Sequence, residues 1–258
     1  MKDPYPYIQS VDSLGEAMEV DSSQSTLAEN VFEQIFNLIL TGELPLGGVV
    51  NEANFAERFS VSRGPVREAI QRLQGLRLVT REPYMRARVV RYSEHDLVDI
   101  FELREAAEGM ACRLATKKMS NIEIQQLLKD VERSSQNNNL PRIGTDIHMR
   151  IARGCGNKRI ENLLCEDLYY LLRIYRYRSG AEPGRWDRAC EEHWQIARAM
   201  QVRDPDLAES LMRTHISGAI RTVLTSLTRI DSSMEPGSEP GQEIENRPVA
   251  DISFGINQ

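Results

Sequence analysis

Three of the four histidines in the chain fall on apolar stripes of segments with helical periodicity. His148 recurs with Ile151 and Cys155, His193 with Ala189 and Ile196, and His215 with Leu207, Leu211 and Gly218, whereas His95 lies in a charged SEHD sequence. A single histidine on such a stripe is most often a core residue with its ring nitrogens hydrogen bonded. Three on three separate helices also suit a divalent transition metal, zinc or nickel first, because converging neutral imidazoles are good ligands. Both readings stand on the residues alone. Asp146 precedes His148 by two residues, about 200° round a helix, and so points away from the face that carries it.

The second concentration of chemistry is cationic. Residues 58–90 hold eight arginines against Glu68 and Glu82, a local charge of +6 that suits a phosphate-facing surface. The overall net charge of −6 conceals it. Residues 1–26 carry −4 and residues 231–258 carry −5, which leaves +3 for residues 27–230. Within FSVSRGPVREAI (residues 59–70), Ser62, Arg63 and Arg67 are the short hydrogen-bonding group and long cations that a helix needs at its exposed first turn to reach base edges and phosphates in a major groove. Val61, Val66, Ala69, Ile70 and Leu73 face inward in the same register. An amphipathic surface helix with a solvated charged face is the alternative.

The elements that must position these groups follow from periodicity. Leu27, Val31, Ile35, Leu38 and Ile39 predict a helix ending at Thr41-Gly42. A short helix with Ala53, Ala56 and Phe59 follows, then a turn at residues 60–62 and a third helix from Arg63 to about Gly75. Residues 78–80 and 87–90 favour strands and make a small hairpin, the wing. Beyond Tyr92 the pattern is helical. One stripe comprises Leu97, Ile100, Leu103, Ala107, Met110 and Leu114, and a capping box opens the next helix at Ser120 and Glu123. Further helices fit about 142–154, 158–178, 186–201 and 205–229, the last with Asp204 as N-cap and Pro205 at the first position. Both ends, including SSMEPGSEPGQEIENRP, have the composition of disordered tails.

The run FAERFSVSRGPVREAIQRLQGLRLV closely resembles the winged helix-turn-helix of the GntR family of bacterial transcriptional regulators, and the helical remainder resembles the ligand-sensing domain of the FadR-like, FCD-type subfamily. The resemblance covers roughly residues 27–229. It implies a mainly α fold: an N-terminal winged helix-turn-helix over 27–91 of three helices and a β-hairpin, then an all-α antiparallel bundle over 92–230 for effector binding and dimerisation, flanked by tails 1–26 and 231–258. It implies a homodimer on double-stranded operator DNA, repression of a catabolic operon, and a small organic acid as effector. Arg63 and Arg67 would contact bases and phosphates, with Ser62, Gly64 and Pro65 setting the start of the helix. The family's wing carries a glycine at its tip, but this chain reads PYMRARVV, and Arg86 is expected to take the minor-groove contact itself.

In the sensor domain the resemblance implies that His148, His193 and His215 hold a divalent metal and that Arg104, in FELREAAEGMACRLA, grips the effector carboxylate. An Arg104–Glu108 helix pair is the alternative for that arginine. The family's aspartate ligand stands four residues before the first histidine, and that place is Gly144 here, so a three-histidine site completed by water or effector is expected. Asn157 and the cluster Arg173, Tyr175 and Arg176 are candidates to reach the same cavity. The stretches EGMACRLA, NLLCEDLYYLLRIYR and RDPDLAESLMRTHI resemble regulators found beside propionate and methylcitrate genes, which implies 2-methylcitrate or a similar acid as effector.

A metal-dependent hydrolase is the competing class. It fails on two counts: no carboxylate base accompanies the histidines in the sequence, and the arginine-rich helix is left without a role. The four cysteines occur singly, without CxxC pairs, and read as buried free thiols. No stretch approaches the ~18 apolar residues of a membrane span, so the expected location is the cytoplasm.

Overall fold

The structure, a computed structural model, describes residues 26–136, 147–180, 182 and 184–233. Gly144 and Asp146, and the tails at 1–25 and 234–258, lie outside the described residues. Thr26 belongs to the fold, since its hydroxyl and the Glu29 carboxylate form a capping box that opens α1 (Leu27–Thr41). The last helix likewise continues to Ser233, into the stretch expected as tail.

The N-terminal elements are α1, α2 (Glu52–Arg58), α3 (Arg63–Gly75), β1 (Val79–Thr80) and β2 (Arg88–Val89). α1 ends where Gly42 takes φ +85, a left-handed conformation that costs glycine nothing. Asn51 caps α2 by accepting from the amides of Ala53 and Asn54. Phe32, Ile35, Phe36 and Ile39 of α1 share one core with Val66, Ile70 and Leu73 of α3, and α2 anchors to it through Phe55 rather than Ala53, which is exposed. β1 and β2 pair antiparallel with Val79 opposite Val89, and Val49 bridges to Arg88, so the wing is tied back to the loop before α2.

The remainder is helical: α4 (Glu94–Lys118), α5 (Asn121–Gln136), α6 (Ile147–Gly154), α7 (Lys158–Asn162), α8 (Tyr169–Gly180), α9 (Arg185–Gln201) and α10 (Pro205–Ser233). Ser120 and Glu123 form the expected capping box, and Asp204 Oδ1 accepts from the Leu207 amide at the start of α10. α4 and α10 pack along their lengths, and α5 packs on α9.

Three expectations change. The buried face of α4 is Leu97, Phe101, Arg104, Glu108, Ala111, Cys112 and Ala115, whereas Leu103 and Met110 of the expected stripe are exposed. Two charged residues inside the buried face shift the apparent apolar stripe by about one position. On α10 the face carrying His215 is Ala208, Met212, Ile216 and Ala219, and Leu207 is exposed. The single helix expected over 158–178 is broken by a π-helical turn at Leu163–Asp167, closed by Leu168 N donating to Leu163 O at 3.0 Å. One inserted residue turns everything downstream by about 100°. Cys112, Cys155 and Cys190 are buried free thiols as expected, and Cys165 is half-buried.

Candidate functional site

α3 presents its first turn openly. Ser62 is the N-cap in extended conformation, but its hydroxyl makes no cap hydrogen bond, and Ser62, Arg63 and Gly64 are exposed. Nothing crowds Gly64, whose nearest neighbour beyond the helix is Ser62 Oγ, 3.9 Å from where a Cβ would stand. Pro65, lacking an amide hydrogen, costs nothing in a first turn. The result is an exposed, uncapped helix start with an arginine at its first position, and such a start suits phosphate. Arg67 is exposed one turn on, and its Nε donates to Glu52 Oε2 at 2.9 Å.

The wing differs in detail from the sequence reading. Its tip is a turn in which the Met85 amide donates to Glu82 O at 3.0 Å, with Pro83 leading and Tyr84 at φ +65. That is the position where a turn with leading proline favours glycine. Tyr84 is fully exposed. Arg86 stands two residues past Tyr84, exposed, on the descending side.

The three histidines meet between α6, α9 and α10. One nitrogen from each of His148, His193 and His215 lies within 4.8 Å of the other two, and His193 Nε2 is 3.3 Å from His215 Nε2. Two carboxylates aim the rings. His148 Nδ1 donates to Glu108 Oε2, and His215 Nδ1 donates to Glu192 Oε2 at 2.6 Å. Each carboxylate is gripped by an arginine: Arg104 Nε donates to Glu108 Oε1 at 2.6 Å, and Arg185 Nη1 to Glu192 Oε2 at 3.0 Å. With Nδ1 occupied, both rings turn Nε2 toward the centre, the orientation that carboxylate partners impose on metal-binding histidines.

The electrostatics favour neutral rings. Burial pushes the His148 imidazole below its ordinary range, and Arg176 and Arg104 push it further, against the opposing pull of Glu108. His215 is held well below that range by burial first, then by His148, Arg104 and Arg185. For Glu108 burial acts upward, but Arg104 and His148 together outweigh it and keep the carboxyl well below the usual range. Neutral imidazole is the ligating form. The His193–His215 pair also fits in size, since two nitrogens ~2.0–2.1 Å from a tetrahedral zinc stand about 3.3 Å apart.

Sequence reasoning named His148, His193, His215 and Arg104, and its alternative for Arg104, a helix pair with Glu108, is what the structure contains; it missed Glu108 as the partner of His148, and Glu192 and Arg185 altogether. Carboxylates do therefore accompany the histidines, but they accept from Nδ1 and from arginine, and a carboxylate so held is a poor general base. Asn157 serves elsewhere: its Oδ1 caps α7, accepting from the amides of Arg159 and Ile160. Of the α8 cluster, Arg176 acts electrostatically on Glu108 and His148, while Tyr175 is buried edge-on to Phe101. Arg173 instead lies over the Phe36 ring of α1 at 5.1 Å.

That last contact belongs to a seam between the two halves. Tyr170, just past the π turn, packs edge-on against Phe32 and Phe36 at 5.0 and 4.8 Å, and its hydroxyl donates to Glu33 Oε1 at 3.3 Å. Arg72 of α3 lies over the Phe32 ring at 4.1 Å. The π turn itself packs against α6, which carries His148. A contiguous set of contacts thus runs from the histidine cluster to α3.

Comparison with known proteins agrees with both halves. Residues 27–89 match the model for bacterial regulatory proteins of the gntR family, and residues 99–218 match the FCD domain. The chain is 28% identical over 218 residues, 83% of its own length and 96% of the relative, to the "Probable D-xylose utilization operon transcriptional repressor" of Paenarthrobacter nicotinovorans. It is 26% identical over 194 residues to the HTH-type transcriptional repressor GlaR of Escherichia coli, covering 70% of this chain and 88% of that protein. In fold it is similar to E. coli McbR/YncC, with a TM-score of 0.62 at 18% identity over 79% of this chain and 100% of that one. A putative GntR regulator from Rhodococcus sp. RHA1 is similar in fold too, with a TM-score of 0.61 at 18% identity over 78% of this chain and 99% of that one. Among the described residues, no helix is long and apolar enough to cross a membrane. The exposed first turn of α3, the wing behind it and the helical half beyond them are those of a DNA-binding transcriptional regulator rather than an enzyme, and the chain belongs to the GntR family, with an FCD domain as its sensor.

Proposed function

We propose that the protein is a homodimeric, cytoplasmic repressor of a catabolic operon, and that a small organic acid bound at a three-histidine metal centre modulates its grip on operator DNA. The observation that carries this reading is the convergence of His148, His193 and His215, two of them aimed by carboxylates, in the domain joined to a winged helix-turn-helix. We assign DNA binding to residues 27–91 and sensing to residues 92–230. The relatives named as repressors support repression.

His148, His193 and His215 would hold the metal, zinc or nickel. When bound, it supplies a Lewis-acidic cation that attracts a carboxylate. Arg104, which is paired with Glu108, is the proposed carboxylate-binding group of this scheme, and it is close enough to His148 and His215 to depress both imidazoles. A tricarboxylic acid such as 2-methylcitrate is the first candidate. The exposed Leu103 and Met110 on the outer side of α4 favour a second copy as the partner of that face. A two-fold dimer doubles the few base pairs that one short helix reads.

On DNA, Ser62, Arg63, Gly64, Pro65 and Arg67 form the major-groove element, and Arg86 enters the adjacent minor groove, where narrow A·T tracts attract guanidinium. Arg86→Ala is then expected to weaken operator binding and to lower the slope of log K against log salt by about one. Gel shifts at two salt concentrations check this, and an unchanged slope removes Arg86 from the interface.

The metal reading is tested by competition for zinc with a chromophoric chelator. The intact protein should hold one ion per chain. His193→Ala, which removes a ligand that is only half-buried, should lose at least about 100-fold in affinity while keeping its helical circular dichroism. Equal affinities for the two proteins would overturn it.

A further inference from the structure

Glu52 is an acidic side chain set among the arginines of the DNA-binding half. It is the first residue of α2, and its side chain is 22% exposed although it carries a charge. Its two oxygens serve two different elements. Oε2 accepts from Nε of Arg67 on α3 at 2.9 Å, and Oε1 accepts from Nη2 of Arg81, where the chain leaves β1 for the wing, at 2.7 Å. Arg81 and Arg67 together hold the carboxyl below its usual range, so it stays ionised.

A carboxylate in such a place opposes phosphate binding, since each uncompensated negative charge reduces the attraction of the surface for DNA. The geometry points to what it supplies in return. Glu52, we infer, is a positioning residue for base reading that clamps Arg67 and Arg81 into one arrangement. An arginine side chain free to choose among rotamers settles on whatever phosphate is nearest. With Nε committed to Glu52, the planar guanidinium has a fixed direction, and its Nη1 and Nη2 are the pair left to address a base end-on. The same carboxylate fixes the root of the wing relative to that arginine. The inference rests on the reading that Arg67 lies on the base-facing side of α3.

Selection from a random-sequence duplex library with the full-length protein tests it, comparing wild type, Glu52→Gln and Glu52→Asp. Wild type is expected to enrich a two-fold symmetric motif. Glu52→Gln removes one anion and releases both arginines. It should bind random duplex about two- to fivefold more tightly, with a steeper salt slope, yet lose about tenfold or more in the ratio of motif to random binding. Glu52→Asp keeps the charge but is too short for both contacts, so it should lose the same discrimination without the gain on random DNA. It also stands in if Glu52→Gln does not fold by circular dichroism. A motif and a ratio unchanged in both variants would overturn the clamp. A wild-type selection without any motif would instead sink the base-reading assignment beneath it, and the clamp with it, and is distinguishable because the loss is not confined to the variants.

Discussion

Arg63→Ala is expected to weaken binding to the operator by about 10- to 100-fold, the ~1–3 kcal/mol that one good arginine–base contact contributes. Arg63 is the first residue of α3 and is exposed, whereas the helix is held by Val66, Ala69, Ile70 and Leu73 on its opposite face. Folding should therefore be untouched, and the thermal midpoint should stay within a degree or two. Fluorescence anisotropy with operator and random duplexes separates the roles. A base-reading arginine loses mostly specific affinity, and a phosphate-binding one loses both equally. An equal loss on the two duplexes would move Arg63 to the phosphate backbone.

The second large effect concerns stability. Glu108 is 2% exposed and accepts from Arg104, itself 1% exposed, and from His148. Glu108→Ala removes the counter-charge from a buried guanidinium, a change that costs about 3–5 kcal/mol in comparable buried pairs. Against the ~5–15 kcal/mol that holds a domain folded, this is a large loss. Urea unfolding should show it as a lower midpoint. Replacing both partners with apolar residues of similar volume, Arg104→Met with Glu108→Leu, should recover much of the loss, because neither charge is then buried. If Glu108→Ala were neutral, the pair would contribute nothing to the fold, and the orientation of His148 would have to come from elsewhere.

The residues behind these effects differ in how plainly the amino-acid sequence displays them. The helices of the N-terminal half are legible to within a residue or two, because their boundaries carry chemical signals: Gly42 ends α1, Ser62 precedes α3, and β-favouring residues begin at Leu78. The histidine trio is legible for a related reason, since polar rings on apolar stripes stand out. The face of α4 is not. Arg104 and Glu108 occupy buried positions, so a pattern read from apolar residues slides onto Leu103 and Met110. Glu192 is hidden differently. It sits beside His193 in sequence but serves His215 on another helix, a pairing that only the packing of α9 against α10 creates. No residue pattern announces the π turn either, although it sets the direction in which Tyr170 meets α1.

The seam at Tyr170 gives the sensor a physical route to the DNA-reading element. α6, the π turn, Tyr170, Phe32 and Arg72 form successive contacts between the histidines and α3. Contact alone transmits nothing. A ligand acts on DNA binding only if it favours one arrangement of the two halves over another, and the coupling is then reciprocal.

If occupancy of the proposed three-histidine site governs the grip on DNA, operator affinity itself must follow it. The decisive experiment is operator binding by anisotropy at fixed salt, for wild type and His193→Ala, with and without zinc and a panel of mono-, di- and tricarboxylates that includes 2-methylcitrate. Zinc with one class of acid should change the wild-type Kd by about 5- to 150-fold, the ordinary range of allosteric coupling, and leave His193→Ala unmoved. Identical responses in the two proteins, or a wild-type Kd that no zinc–acid combination alters, would show that the histidine site does not control DNA binding.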